Sequence, residues 1–93
     1  MNWLKEADLK RKQVKTIAEV KKLAGVDGGA DFIIILGGGG IFTRYHLAWD
    51  GQEMFVDSYA DGSERDLTIE QFMDPAETNF AEAMRKGAFY WEE

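Results

Sequence analysis

The run Phe32-Ile33-Ile34-Ile35-Leu36 limits the fold of this chain more than any other feature. Three consecutive β-branched residues disfavour a helix, the run is too short for one, and an apolar side chain at every position leaves no polar face. Such a segment is expected to be an interior strand covered on both sides. Asp27-Gly28-Gly29 before it and the four glycines at 37–40 after it supply the turns that bound it.

A strand of this kind needs neighbours, and the next residues offer them. From Ile41 to Trp49 the chain alternates, with Ile41, Tyr45, Leu47 and Trp49 on one face and Phe42, Arg44, His46 and Ala48 on the other. Asp50-Gly51 is the strongest hairpin signal, because a type I′ turn needs positive φ at both central residues and this pair tolerates it. The third strand is then Gln52 to Tyr59. A two-residue Asp50-Gly51 loop sets Leu47 against Met54, Tyr45 against Val56, His46 against Phe55 and Arg44 against Asp57. That register gives one apolar face and an opposite-charge pair on the other. In a bare three-stranded meander the 31–36 strand would be an edge apolar on both faces, which invites aggregation. Ala88-Phe89-Tyr90-Trp91 is the segment expected to cover it, as a fourth, C-terminal strand.

Capping signals place the helices. Asn2 precedes Trp3, Leu4 and Ala7 at helical spacing, which predicts a short N-terminal helix. Thr16 and Glu19 have capping-box spacing and open a helix whose apolar face is Ile17, Val20, Leu23 and Ala24, with Lys21 and Lys22 in the last turn and Gly25 ending it. Thr68 and Gln71 repeat the spacing before a short helix through Phe72 and Met73. Asp74-Pro75 predicts a last helix start, with Glu77 in its first turn, Phe80, Ala83 and Met84 on its apolar face, and Gly87 at its end. The expected fold is α+β in one domain over residues 1–93: N-terminal helices, a three-stranded antiparallel meander with or without the fourth strand, and two short C-terminal helices.

Composition removes several classes of function. With no cysteine in 93 residues, disulfides, thiolate chemistry and cysteine-type zinc sites are excluded. The five-residue apolar run is far shorter than the roughly 20 residues that span a bilayer. Met1 to Lys15 is charged rather than leader-like, so a cytoplasmic location without membrane association is expected. Charge is divided: residues 1–25 hold seven Lys/Arg against three Asp/Glu, and the other 68 hold four against fourteen, so an end of +4 joins a body of −10. An acidic body repels nucleic acid and favours basic protein surfaces.

The motifs with chemical potential are each better explained without chemistry. Gly37–Gly40 follows a strand, yet a phosphate loop hands its anion to a helix N-terminus, and here Ile41-Phe42-Thr43-Arg44-Tyr45 continues as strand. His46 is the sole histidine. A catalytic arrangement would have to recruit Asp57 with Ser58 or Ser63, and no nucleophile elbow is present, so a histidine lying on the sheet against Phe55 is expected. Asp57 to Gly62 puts Tyr59 where a calcium loop needs a ligand. No metal or cofactor is expected.

What remains is surface. Asp57, Asp61, Glu64 and Asp66 gather near the end of the third strand, beside the aromatic residues Phe55 and Tyr59, and these six form the expected contact set for a protein partner with a basic surface. The expected function is a small acidic, non-enzymatic protein-binding module, an adaptor or an inhibitor occupying a partner's basic surface. In size and charge the chain has the general look of small acidic accessory proteins of bacteria and their phages. The alternative is a nucleic-acid-binding protein using Lys10, Arg11, Lys12 and Lys15, which the acidic body disfavours. Exposed aromatics also leave a homodimer open.

Overall fold

The computed structural model describes residues 11–35 and 42–92. In chain order these form β1 (Arg11–Gln13), α1 (Ile17–Ala24), β2 (Ala30–Ile35), β3 (Phe42–Trp49), β4 (Glu53–Ser58), β5 (Glu64–Thr68), α2 (Ile69–Met73), α3 (Phe80–Arg85) and β6 (Phe89–Glu92). The strands make one antiparallel sheet in the order β1-β6-β2-β3-β4-β5. This corrects the expected three-stranded meander: strands dominate, and the sheet has six of them with three helices. The helix expected from Asn2 and the turn at Gly37–Gly40 lie outside the described residues.

Two of the additional strands are edges, and their composition explains why periodicity missed them. In β1, Arg-Lys-Gln is polar throughout, and in β5 only Leu67 is buried. Sheet edges are commonly charged in this way, because charge discourages pairing with other chains. β6 is the covering strand expected from Ala88–Trp91. It inserts between β1 and β2, with Phe32 opposite Trp91 and Ile34 opposite Phe89. β2 is therefore interior, as its apolar run requires.

The β3–β4 register differs from the expected one by two residues. Leu47 lies opposite Val56, His46 opposite Asp57 and Ala48 opposite Phe55. Asp50 and Glu53 pair across the turn, leaving Gly51 (φ +101°) and Gln52 as the loop, and the Asp50 carboxylate accepts the amides of Gln52 (2.8 Å) and Glu53 (2.7 Å). Glycine as the first loop residue is the other favoured hairpin solution. A shift of two preserves every side chain's face, so the apolar alternation could not distinguish the registers.

All three helices cover one face of the sheet, the inner one. Phe32, Ile34, Leu47, Met54, Val56, Leu67 and Phe89 meet Val20 and Ala24 of α1, Phe72 of α2, and Phe80, Ala83 and Met84 of α3 in one buried cluster. Phe80 is its centre: its ring stacks on Phe72 at 4.5 Å and meets Tyr45 and Phe89 edge-on at 4.8 and 5.8 Å. Thr16 caps α1 by accepting the Glu19 amide, and the Thr68–Gln71 capping box is complete at α2. Asp74 does not open the last helix. It closes α2, its side chain and carbonyl hold a separate turn at 74–78, and α3 starts only at Phe80. The hydroxyl of Thr78 donates to the Phe72 carbonyl at 2.7 Å, tying that turn to α2.

Candidate functional site

The outer face of the sheet carries a row of ionisable side chains that crosses all six strands. Register pairs Arg11 with Glu92, Glu92 with Asp31, Asp31 with His46, His46 with Asp57, and Asp57 with Glu64. In one half of this row the charges are matched. Glu92 accepts from Arg11 Nε at 3.4 Å and from Arg44 Nε at 3.0 Å, and Arg44 also lies over the Phe42 ring at 4.8 Å. The expected Arg44–Asp57 pair does not form, because the observed register places Asp57 opposite His46 instead.

His46 is fixed through both ring nitrogens. Nδ1 lies 2.8 Å from Asp31 Oδ1 and Nε2 lies 2.7 Å from the Gly28 carbonyl. A carbonyl and a carboxylate only accept, so the site satisfies both ring nitrogens only when both carry protons, and it favours the imidazolium over the neutral ring. Its pKa is raised, first by the hydrogen bond to Asp31, with partial burial opposing, and further by the Gly28 carbonyl and the charges of Asp31 and Asp57. The Tyr59 hydroxyl donates to the same Asp31 oxygen at 3.2 Å. The histidine is thus a clasp between β3 and the Gly28-Gly29 turn, and Phe55, expected directly opposite it, lies opposite Ala48 instead.

The other half of the face is different. Glu53, Phe55 and Asp57 of β4 alternate onto it, opposite Thr68, Asp66 and Glu64 of β5. Among the described residues none of Glu53, Asp57, Glu64 and Asp66 has a cation within ion-pair distance. Arg65, the cation nearest in sequence, points to the inner side and pairs with Glu77 at 3.0 Å. Phe55 sits among these carboxylates, 38% exposed, and a shallow depression of about 180 Å³ runs between it, His46, Asp57, Glu64 and Asp66, with Arg65 also contributing to its lining.

Of the six residues expected to contact a partner, Phe55, Asp57, Glu64 and Asp66 come together here. Tyr59, 57% exposed, is on the same face beside Asp31. Asp61 is elsewhere. Hydrogen bonding from the Ser63 side chain, and then from the Ser63 amide at 2.9 Å, holds its carboxyl below the usual range within its own turn, and it borders a separate inner-side groove with Tyr45 and Asn79. Glu53 was not expected in the set, although its alternation with Phe55 and Asp57 was there to be read. Of the basic segment, Arg11 is engaged by Glu92, Lys12 faces the opposite side of β1 with Trp91, Lys15 is exposed just before α1, and Lys10 lies outside the described residues.

Among the described residues no group of three or more His, Asp or Glu side chains is placed to hold a metal ion, and no helix is long and apolar enough to cross a membrane. No protein-family model, curated protein or solved structure matches the chain.

Proposed function

We propose that this protein is a non-enzymatic binding module whose β4–β5 outer face docks on a basic protein surface, as an adaptor or as an inhibitor that occupies that surface. One observation carries the reading: four carboxylates with no ion-pair partner among the described residues lie around an exposed phenylalanine on a regular sheet. An anionic field at this end raises the encounter rate with a cationic partner, and Phe55 provides an apolar contact at the centre of the charge. Both ring nitrogens of His46 are engaged within the protein, which supports a structural role for it.

The test uses an oligolysine peptide as a probe and pairs two reversals of equal charge. Glu64→Lys with Asp66→Lys alters the patch, and Asp27→Lys with Glu70→Lys alters exposed acids elsewhere. The patch variant is expected to weaken binding by about tenfold more than the control at low salt, with the difference shrinking as salt rises. Equal losses in the two variants would mean that the probe responds to net charge alone, and the patch reading would fail.

A further inference from the structure

The edge of β5 extends this reading, and rests on it, by specifying the form of the partner. β5 runs for five residues with one neighbour, β4, among the described residues, and its pairing from Glu64 to Thr68 is continuous, without a bulge or proline. The other edge is shorter: β1 has three residues, and the Gln13 side chain is tied to the Gly87 carbonyl at 2.9 Å.

Which backbone groups the β5 edge offers follows from the ladder. Ser58 donates to the Ser63 carbonyl at 2.9 Å, so that pair is hydrogen-bonded. Pairs alternate along an antiparallel ladder, so Arg65 and Leu67 bond to β4, whereas Glu64, Asp66 and Thr68 turn their amides and carbonyls outward. The Thr68 amide is already taken by Gln71 Oε1 at 3.0 Å. Glu64 and Asp66 remain, and both also present their carboxylates on the outer face. One pair of residues therefore supplies the main-chain groups for a seventh strand and the charges that would select it.

We infer that β5 receives an extended basic segment of the partner as an added antiparallel strand, with Lys or Arg at two alternate positions opposite Glu64 and Asp66. The residues opposite those two would exchange four main-chain hydrogen bonds with them and place their cations on the outer face, at cross-strand distance from the carboxylates. The residue between them faces Arg65 on the inner side, and a third cation there would meet like charge. A second copy of this chain is a poor occupant, because antiparallel β5–β5 pairing sets Glu64 and Asp66 against their own kind.

The test is a blocked peptide, Ser-Gly-Lys-Thr-Arg-Gly-Ser, titrated by amide NMR into the full chain. Three further peptides complete it: a permutation with Lys and Arg adjacent, a form N-methylated at both Lys and Arg, and a form N-methylated at Thr only. Binding of the first is expected to slow exchange of the Glu64 and Asp66 amide protons. Permutation is expected to weaken it by about fivefold, and double N-methylation by more than about tenfold, since two main-chain bonds are lost. N-methylation at Thr is expected to change affinity by less than about threefold, its amide pointing away from the edge. If the doubly N-methylated peptide binds as well as the first and Glu64→Lys with Asp66→Lys abolishes both, strand addition is overturned while the acidic-face reading stands. If the reversal variant binds the first peptide undiminished, both readings fall. Concentration-dependent association of the chain through β5, seen by sedimentation, would overturn the exclusion of a second copy.

Discussion

On the β1-β6-β2-β3 side of the outer face each acid of the central row is matched, Glu92 by two arginines and Asp31 by His46 with Tyr59, whereas on the β4-β5 side none of Glu53, Asp57, Glu64 and Asp66 has a cation within ion-pair distance among the described residues. The sheet is the same and so is the alternation, but charge is used in opposite ways. Matched ions tie strands and a turn to one another. Those unmatched among the described residues repel each other and contribute nothing to the fold by pairing there, which is what supports the proposed docking face. Removing a group from the first half should therefore destabilise the protein, and removing one from the second should not.

The largest contrast is expected between two glycines of nearly equal φ. Gly29 (φ +75°) belongs to the turn that His46 clasps, and a Cβ there would lie 2.5 Å from the Leu47 carbonyl oxygen and 2.8 Å from His46 Nε2. Gly62 (φ +71°), in the β4–β5 turn, has nothing within 4 Å of that position. Gly62→Ala should cost only the left-handed conformation, about 1 kcal/mol, and Gly29→Ala about 3 kcal/mol or more because backbone must also move. Urea melts would show this as midpoints lowered unequally. Equal midpoints would mean that the turn yields easily and that the clasp does not hold it.

Glu92→Gln is next. It leaves Arg11 and Arg44 without their shared carboxylate, which is 19% exposed, while the arginines are 28% and 44% exposed. Partial solvation moderates the effect to about 1 kcal/mol. The β1–β6 pairing should loosen first, seen as faster exchange of the Val14 amide, which donates to the Phe89 carbonyl at 2.9 Å.

His46→Gln should cost about 1 kcal/mol at pH 5.5 and less at higher pH. The folded-state pKa is raised, so the clasp's contribution is fully present below the unfolded value of about 6.5 and is lost as pH rises through the folded value. Wild-type and variant stability curves should converge toward alkaline pH. Parallel curves from pH 5.5 to 9 would show that the ring does not bind its second proton more tightly in the folded protein.

The sequence disclosed these two halves unequally. The run at 32–36, the alternation of 41–49 and both capping motifs placed β2, β3, α1 and α2, since each rests on a local pattern. The helix expected at Asp74-Pro75 failed because a capping signal requires only one turn, and Thr78 anchors that turn to α2 instead of continuing it. The β3–β4 register failed by two residues, a shift invisible to face alternation. With it went the Arg44–Asp57 pair and the position of His46, whose partners Asp31 and Gly28 are 15 and 18 residues away in the chain. The acidic half was more accessible because local alternation of Phe55 with Asp57 and nearness in sequence of Glu64 and Asp66 were enough to gather them. Asp61 was drawn in by the same nearness, although a turn points it to the other side.

The smallest expected effect bears most directly on the contrast. Glu64→Gln with Asp66→Asn removes two charges, keeps side-chain shape, and breaks no ion pair among the described residues. If these carboxylates mainly repel Asp57, Glu53 and each other, the double variant should match or exceed wild type by a few tenths of a kcal/mol at low salt. The gain should vanish at about 0.5 M salt, where screening removes the repulsion. A loss above about 1 kcal/mol would show that the carboxylates hold β5 in place. The acidic end would then be a structural feature like the other half, and the main reason for assigning it a partner would be gone.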